Sequence, residues 1–251
     1  MHPGTLKRTV FFTDSRAKSN VTVFDTTLRD GEQTPGISFT REEKLGIAEQ
    51  LSLIGVHTIE AGFPASSDAE REIVKAIRGL GLDTQVCGLA RSLAADVDAC
   101  IDCDVDMVHV FIPTSDVQRE YTIRKTREQV LEATGDIIAY ARDHIGQCMF
   151  SAMDATRTDP DYLIEVYRTA VDAGATIINV PDTVGVITPT AMKHLITRID
   201  REVNCPIDVH CHNDFGLAVA NTIAAVESGA SQVQVTVNGI GERAGNADLA
   251  Q

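Results

Sequence analysis

No apolar run in this chain approaches the ~20 residues of a membrane-spanning helix, and residues 1–19 (MHPGTLKRTVFFTDSRAKS) lack the hydrophobic core of a secretory signal. Cysteine is scarce: six thiols, at positions 87, 100, 103, 148, 205 and 211, are too few to staple 251 residues, and most fall in apolar or small-residue segments. Cys100-Ile101-Asp102-Cys103 has metal-ligand spacing, but there is no second such pair and it closes a helical pattern, so both thiols read as structural. An excess of positive charge is also missing. The formal net charge of −14 repels nucleic acid and anionic membrane surfaces at long range and argues against both as partners. These absences leave a reduced, cytoplasmic protein with small-molecule partners.

What is present is a regular alternation. With 43% hydrophobic and 23% charged residues, the chain can bury one core of α/β-barrel size. Residues 1–19 show no sustained period and read as an N-terminal arm; residues 20–251 read as one catalytic domain. Short β-branched runs predict strands over 21–25, 57–61, 85–89, 107–112, 148–152, 176–180, 207–211 and 232–237. Between them lie amphipathic segments with start signals: Thr40 with Glu43 as a capping box, and Asp159-Pro160 and Thr188-Pro189 as a cap followed by a first-turn proline. Eight strands without a polar linker favour a (β/α)8 TIM barrel over a doubly wound open sheet, which shares the same local grammar. The chain stops at Gln251, where a helix after the eighth strand would be starting. The eighth helix is therefore expected to be truncated, with any C-terminal subdomains and regulatory domain absent.

Chemistry-bearing residues fall at the ends of these strands. In Val209-His210-Cys211-His212 the two histidines share one strand face, because strand side chains alternate. Two imidazoles make half a metal site, although for His-x-His alone a hydrogen-bonded polar strand end is the favoured reading. In a barrel the loops after the strands gather at one mouth. That mouth receives Arg29-Asp30-Gly31-Glu32-Gln33, His109, Ser151 to Arg157, Asn179 to Thr183, and Gly239 to Asn246. Asp30 is then a carboxylate partner for the histidines and Asn246 a candidate fourth ligand through its amide oxygen. Such a set suits Zn, Mn, Mg or Co with open positions. Arg29 beside it is placed to hold a carboxylate or a developing oxyanion. Gly239-x-Gly241-x-x-x-Gly245 is one residue longer than the dinucleotide fingerprint and reads as a tight loop presenting Asn246.

Phe24-Asp-Thr-Thr-Leu-Arg-Asp-Gly-Glu-Gln33 with Lys44 after it, together with His210-Cys-His-Asn-Asp-Phe-Gly216, resembles both signature segments of the 2-isopropylmalate, homocitrate and citramalate synthase family. The resemblance runs from about Val21 to the end. It implies a metal-dependent barrel condensing acetyl-CoA with a 2-oxo acid in a Claisen-type reaction, expected as a homodimer. It implies that Asp30, His210 and His212 bind a divalent metal with Asn246 at or near it, and that Arg29 holds the oxo acid. Gln33, His109, Ser151 and Thr183 match positions lining the substrate pocket. Asn179-Val-Pro181-Asp-Thr-Val-Gly185 and Glu60-Ala-Gly-Phe-Pro64 look most like 2-isopropylmalate synthases, which implies 2-oxoisovalerate as acceptor and a place in leucine biosynthesis; citramalate or homocitrate synthesis is the alternative.

Met153 departs from that pattern. The family commonly carries Glu there, a carboxylate able to move a proton or hold a water. Asp154 is adjacent but would point elsewhere if the strand register persists. Met153 and the expected loss of the eighth helix keep open a second class of reading, a barrel fragment or partner subunit that binds metal and substrate with little turnover. A lyase of the hydroxymethylglutaryl-CoA type is a third.

Overall fold

The computed structural model describes residues 20–251, so the expected arm at 1–19 lies outside the described residues. Eight parallel strands, β1 (Thr22–Asp25), β2 (Thr58–Gly62), β3 (Gln85–Arg91), β4 (Met107–Pro113), β5 (Gln147–Met153), β6 (Ile177–Asp182), β7 (Ile207–Cys211) and β8 (Gln232–Val235), follow one another around a closed barrel. Closure is direct: Val23 of β1 pairs with Val233 of β8. The expected (β/α)8 architecture is what the chain adopts. Its strand ends differ from the sequence pattern by one to two residues, with β6 running on to Asp182 and β8 stopping at Val235.

The helices are α1 (Arg41–Leu53), α2 (Asp68–Arg78), α3 (Ala94–Ile101), the single turn α4 (Asp116–Gln118), α5 (Arg127–His144), α6 (Pro160–Asp172), α7 (Pro189–Glu202) and α8 (Ala218–Val226). The Thr40–Glu43 capping box forms with both reciprocal hydrogen bonds, and Asp159 and Thr188 cap the helices opened by Pro160 and Pro189. Each satisfies backbone donors that the first helical turn cannot. After β8 the chain forms a short turn at Val237–Gly239, and Asn246 and Asp248 bridge to His212 and Thr236. Among the described residues no α-helix follows β8.

Two apolar zones hold this together. Outward-facing strand residues such as Ile59, Val108, Val110, Phe150, Ile178 and Val209 pack with the buried faces of the helices in one large cluster. Inside the barrel Phe24, Cys87, Met107 and Met149 form a separate small cluster, with Ile177 against it. Stepping two residues up three of these strands leads from Met107 to His109, from Met149 to Ser151 and from Ile177 to Asn179. Because alternate residues face the same side, the barrel interior changes from an apolar floor to a polar layer above it. All six cysteines are free thiols, and Cys100 and Cys103 make hydrogen bonds to the backbone carbonyls of Leu89 and Arg71. No helix among the described residues is long and apolar enough to cross a membrane.

Candidate metal centre and active site

The barrel mouth brings Asp30, His210 and His212 together. One potential ligand atom from each lies within 4.8 Å of the others, and all three residues are buried. His210 Nε2 is 3.1 Å from His212 Nε2 and 3.3 Å from Asp30 Oδ2. β7 supplies the first imidazole and places the second one residue beyond its end. The loop after β1 supplies the carboxylate, its backbone turned by hydrogen bonds from the Asp30 and Gly31 amides to the Thr26 carbonyl.

Asn246 arrives by a different route. The loop after β8 doubles back so that the Asn246 amide donates to the Gly239 carbonyl and Asn246 bridges to His212. This fold needs Gly245, whose φ of 88° is left-handed and whose missing Cβ would strike the Gly239 carbonyl. The Asn246 side chain donates to Asp30 Oδ1 at 3.2 Å and to the Ile240 carbonyl at 3.1 Å. Its oxygen, Oδ1, is buried without a hydrogen-bond partner, as is His212 Nδ1. Orphaned buried polar atoms are costly, and a carboxylate with two imidazoles, next to an asparagine whose amide oxygen lacks a partner, fits a hard or borderline divalent cation.

The protonation states agree with that donor set. Burial works against ionisation of Asp30, but Arg29 and the two histidines outweigh it and hold the carboxyl well below its usual range. Burial, reinforced by neighbouring His210, depresses His212 to about 3, so this imidazole is neutral and one of its ring nitrogens has a lone pair free for coordination.

Around this centre runs a closed circuit of buried side chains. Arg29 donates to Asp30 Oδ2 at 2.8 Å and to Glu60 Oε2 at 2.6 Å. Glu60 Oε1 meets His109 Nδ1 at 2.7 Å, and His109 Nε2 meets Ser151 Oγ at 2.8 Å. Ser151 donates to Asn179 Oδ1 at 2.6 Å, and the Asn179 amide donates to Asp208 Oδ2. Gln234 Nε2 donates to the same oxygen at 2.6 Å, while Gln234 Oε1 lies 2.8 Å from His210 Nδ1. His210 then closes the circuit on Asp30. Burial would raise Glu60, yet Arg29 and His109 hold it at about 2; burial lifts Asp208 to about 7.

Above the circuit opens a cavity of about 200 Å³, lined by the polar side chains of Arg29, Gln33, His109, Ser151 and Thr183 and by the apolar ones of Leu89, Phe111, Met153 and Pro181. Every site residue expected from the sequence therefore lines this cavity or, in the case of Asn246, touches Asp30 beneath it. Asp154 does not turn toward it. Its backbone is left-handed, and its carboxylate is buried against Ser115 and Arg157. Sequence reading does not single out Glu60, Asp208 or Gln234. The available signal was, for Glu60, a carboxylate in the middle of a largely apolar strand, for Asp208 a shared face with His210 and His212, and for Gln234 only the alternation of β8.

A closed parallel barrel with two imidazoles and a carboxylate converging under an open cavity, and Asn246 hydrogen-bonded to that carboxylate, defines the class: a TIM barrel with a candidate divalent-metal centre at its C-terminal mouth. The chain belongs to the HMGL-like family, whose model matches residues 20–251. It is 62% identical over 248 residues to a probable 2-isopropylmalate synthase of Methanosarcina mazei, covering 98% of this chain and 48% of that protein. It is 50% identical over 229 residues to the (R)-citramalate synthase CimA of Methanocaldococcus jannaschii, covering 91% of this chain and 47% of that one. The chain thus spans about half the length of these curated relatives. The Bacillus subtilis HMG-CoA lyase shares the fold, with a TM-score of 0.80 at 18% identity over 92% of this chain and 84% of that one.

Proposed function

We propose that this chain is the metal- and oxo-acid-binding barrel of an acyltransferase that condenses acetyl-CoA with 2-oxoisovalerate to give 2-isopropylmalate, in leucine biosynthesis. The observation that carries this is the convergence of Asp30, His210 and His212 beside Arg29 at the floor of the cavity, with Asn246 hydrogen-bonded to Asp30. Mn, Mg, Zn or Co held there would supply Lewis acidity to the oxo-acid carbonyl. Arg29, fixed between Glu60 and Asp30, presents a positive charge that does not have to reorganise when negative charge develops on the substrate oxygen. Ser151 and Thr183 offer hydroxyls at the cavity wall, and Gln33 an amide. Leu89, Phe111, Met153 and Pro181 form an apolar face suited to a branched aliphatic tail.

That apolar face is also where the choice of acceptor is made. One methylene in such a pocket is worth only about 1 to 3 kcal/mol, so citramalate synthesis from pyruvate, favoured by the similarity to the M. jannaschii citramalate synthase, is the second reading. CoA release measured with a thiol reagent, in the presence of Mn and acetyl-CoA, is expected to show a higher kcat/KM for 2-oxoisovalerate than for pyruvate. A reversal assigns the chain to the citramalate branch. Folded, metal-loaded protein that releases no CoA with either acid sinks the condensation reading for the chain by itself.

Met153 sharpens the same assay. It lines the cavity where the family resemblance implies a glutamate, and a thioether can neither accept the methyl proton of acetyl-CoA nor hold a water for thioester hydrolysis. Met153→Glu is therefore expected to raise kcat by roughly 10²-fold, the lower end of what a positioned acid or base contributes. An unchanged or lower kcat would place proton transfer elsewhere.

A further inference from the structure

The geometry points to Gln234 and Asp208 as positioning residues for the metal-binding imidazole of His210: Asp208 sets the orientation of the Gln234 amide, and Gln234 in turn sets the tautomer of His210. This inference rests on the metal-centre reading above. Gln234 stands on β8 and Asp208 two residues before His210 on β7, and all three are buried inside the barrel. The Gln234 amide has two ends and only one arrangement satisfies both neighbours. Asp208 Oδ2 accepts from Gln234 Nε2 at 2.6 Å and from Asn179 Nδ2 as well, so a carboxylate oxygen faces two amide NH2 groups. Turning the Gln234 amide over would set its oxygen against that carboxylate oxygen.

With Nε2 committed to Asp208, Gln234 Oε1 faces His210 Nδ1 at 2.8 Å and can only accept. His210 must then carry its proton on Nδ1, which leaves the lone pair on Nε2. Nε2 is the nitrogen that faces Asp30 and His212. The other tautomer would turn an N–H toward the metal position and a lone pair toward the Gln234 oxygen. A ligand imidazole is usually fixed in this way by a partner on its far nitrogen, and losing that partner typically weakens metal binding 10- to 100-fold. Asn179 serves the same arrangement from the other side. Its oxygen accepts from Ser151, so its NH2 group is turned to Asp208.

The test begins with the metal-free chain, labelled with 15N at histidine. Long-range proton–nitrogen correlation at neutral pH should show His210 with its proton on Nδ1. A proton on Nε2, or an even mixture, overturns the inference, and this measurement needs neither metal nor variant. Removing the amide while keeping its bulk, in Gln234→Leu, should abolish the tautomer preference and lower Co(II) affinity by roughly 10- to 100-fold in calorimetric titration. Unchanged affinity with an unchanged tautomer also overturns it. Asp208→Leu removes the acceptor that orients Gln234 and should likewise weaken the Nδ1–H preference and Co(II) affinity, whereas Asp208→Asn, whose amide oxygen can accept from both Gln234 and Asn179, should retain most of each. An Asp208→Leu variant with the tautomer and Co(II) affinity of the unaltered chain counts against the relay. If the unaltered chain binds no Co(II) while His210 shows the Nδ1–H form, the metal reading fails and the tautomer assignment stands.

Discussion

His212→Ala is expected to weaken Mn(II) or Co(II) binding by more than the ~10²-fold that loss of a supporting hydrogen bond costs, and to lower any CoA-releasing turnover by about 10³-fold. The size follows from what the cation supplies: several kilocalories per mole of charge stabilisation at roughly 1.4 kcal/mol per tenfold in rate. His212 is buried, and burial, strengthened by adjacent His210, lowers it to about 3 from an ordinary value of 6.5. The sign is that of a group kept neutral. Proton competition at this imidazole stays negligible until the pH falls toward 3, so its contribution to metal affinity does not need alkaline conditions. The variant removes a polar ring from the barrel mouth and not from the apolar core, so folding should persist. Titration calorimetry with and without the substitution reads the result directly; equal affinities would remove His212 from the metal centre.

The second large effect belongs to Glu60. It is fully buried on β2 and holds Arg29 on one oxygen and His109 on the other. Glu60→Gln keeps the shape and removes the charge, leaving Arg29 with Asp30 alone. Breaking a buried ion pair by neutralising one partner typically costs about 3 to 5 kcal/mol, and at roughly 2 to 4 °C per kcal/mol for a domain of this size the melting temperature should fall by about 10 °C. The same charge has a pH signature. Glu60 is depressed from 4.5 to about 2, against the burial that would raise it, because Arg29 and His109 stabilise the ionised form. A carboxyl whose folded value lies below its unfolded value contributes stability that is fully present above 4.5 and lost as pH falls toward 2. Unfolding midpoints in denaturant measured from pH 6 down to 2.5 should drop more steeply in the unaltered chain than in Glu60→Gln. Parallel curves would show that another group dominates the acid limb.

These two residues also mark the boundary of what local pattern reveals. His210 and His212 were legible because strand geometry alone puts residues two apart on one face. Asp30 and Arg29 followed once the unit count implied a barrel whose loops share a mouth. The Thr40–Glu43 capping box and the first-turn prolines were legible for the same local reason: each acts within one helical turn. Glu60, Asp208 and Gln234 were not. A polar residue on a strand has no visible partner in its own segment, and these three find theirs on other strands, Glu60 on His109, and Gln234 on Asp208 and His210.

Asp154 and Asn246 make the same point from the loops. Alternation indicated that Asp154 would leave the face of Met153, yet only the folded chain shows the left-handed turn that buries it against Arg157. Asn246 was a candidate ligand from its loop, but its bridge to His212 and the bare Oδ1 depend on the chain doubling back at Gly245. The order of strands and helices, their caps and the half-site on β7 are encoded by interactions within a few residues, where periodicity and turn chemistry suffice. The circuit that links Asp30 to His210 the long way round is decided by closure of the barrel, because only the register of eight strands around a shared interior fixes which buried donor meets which acceptor.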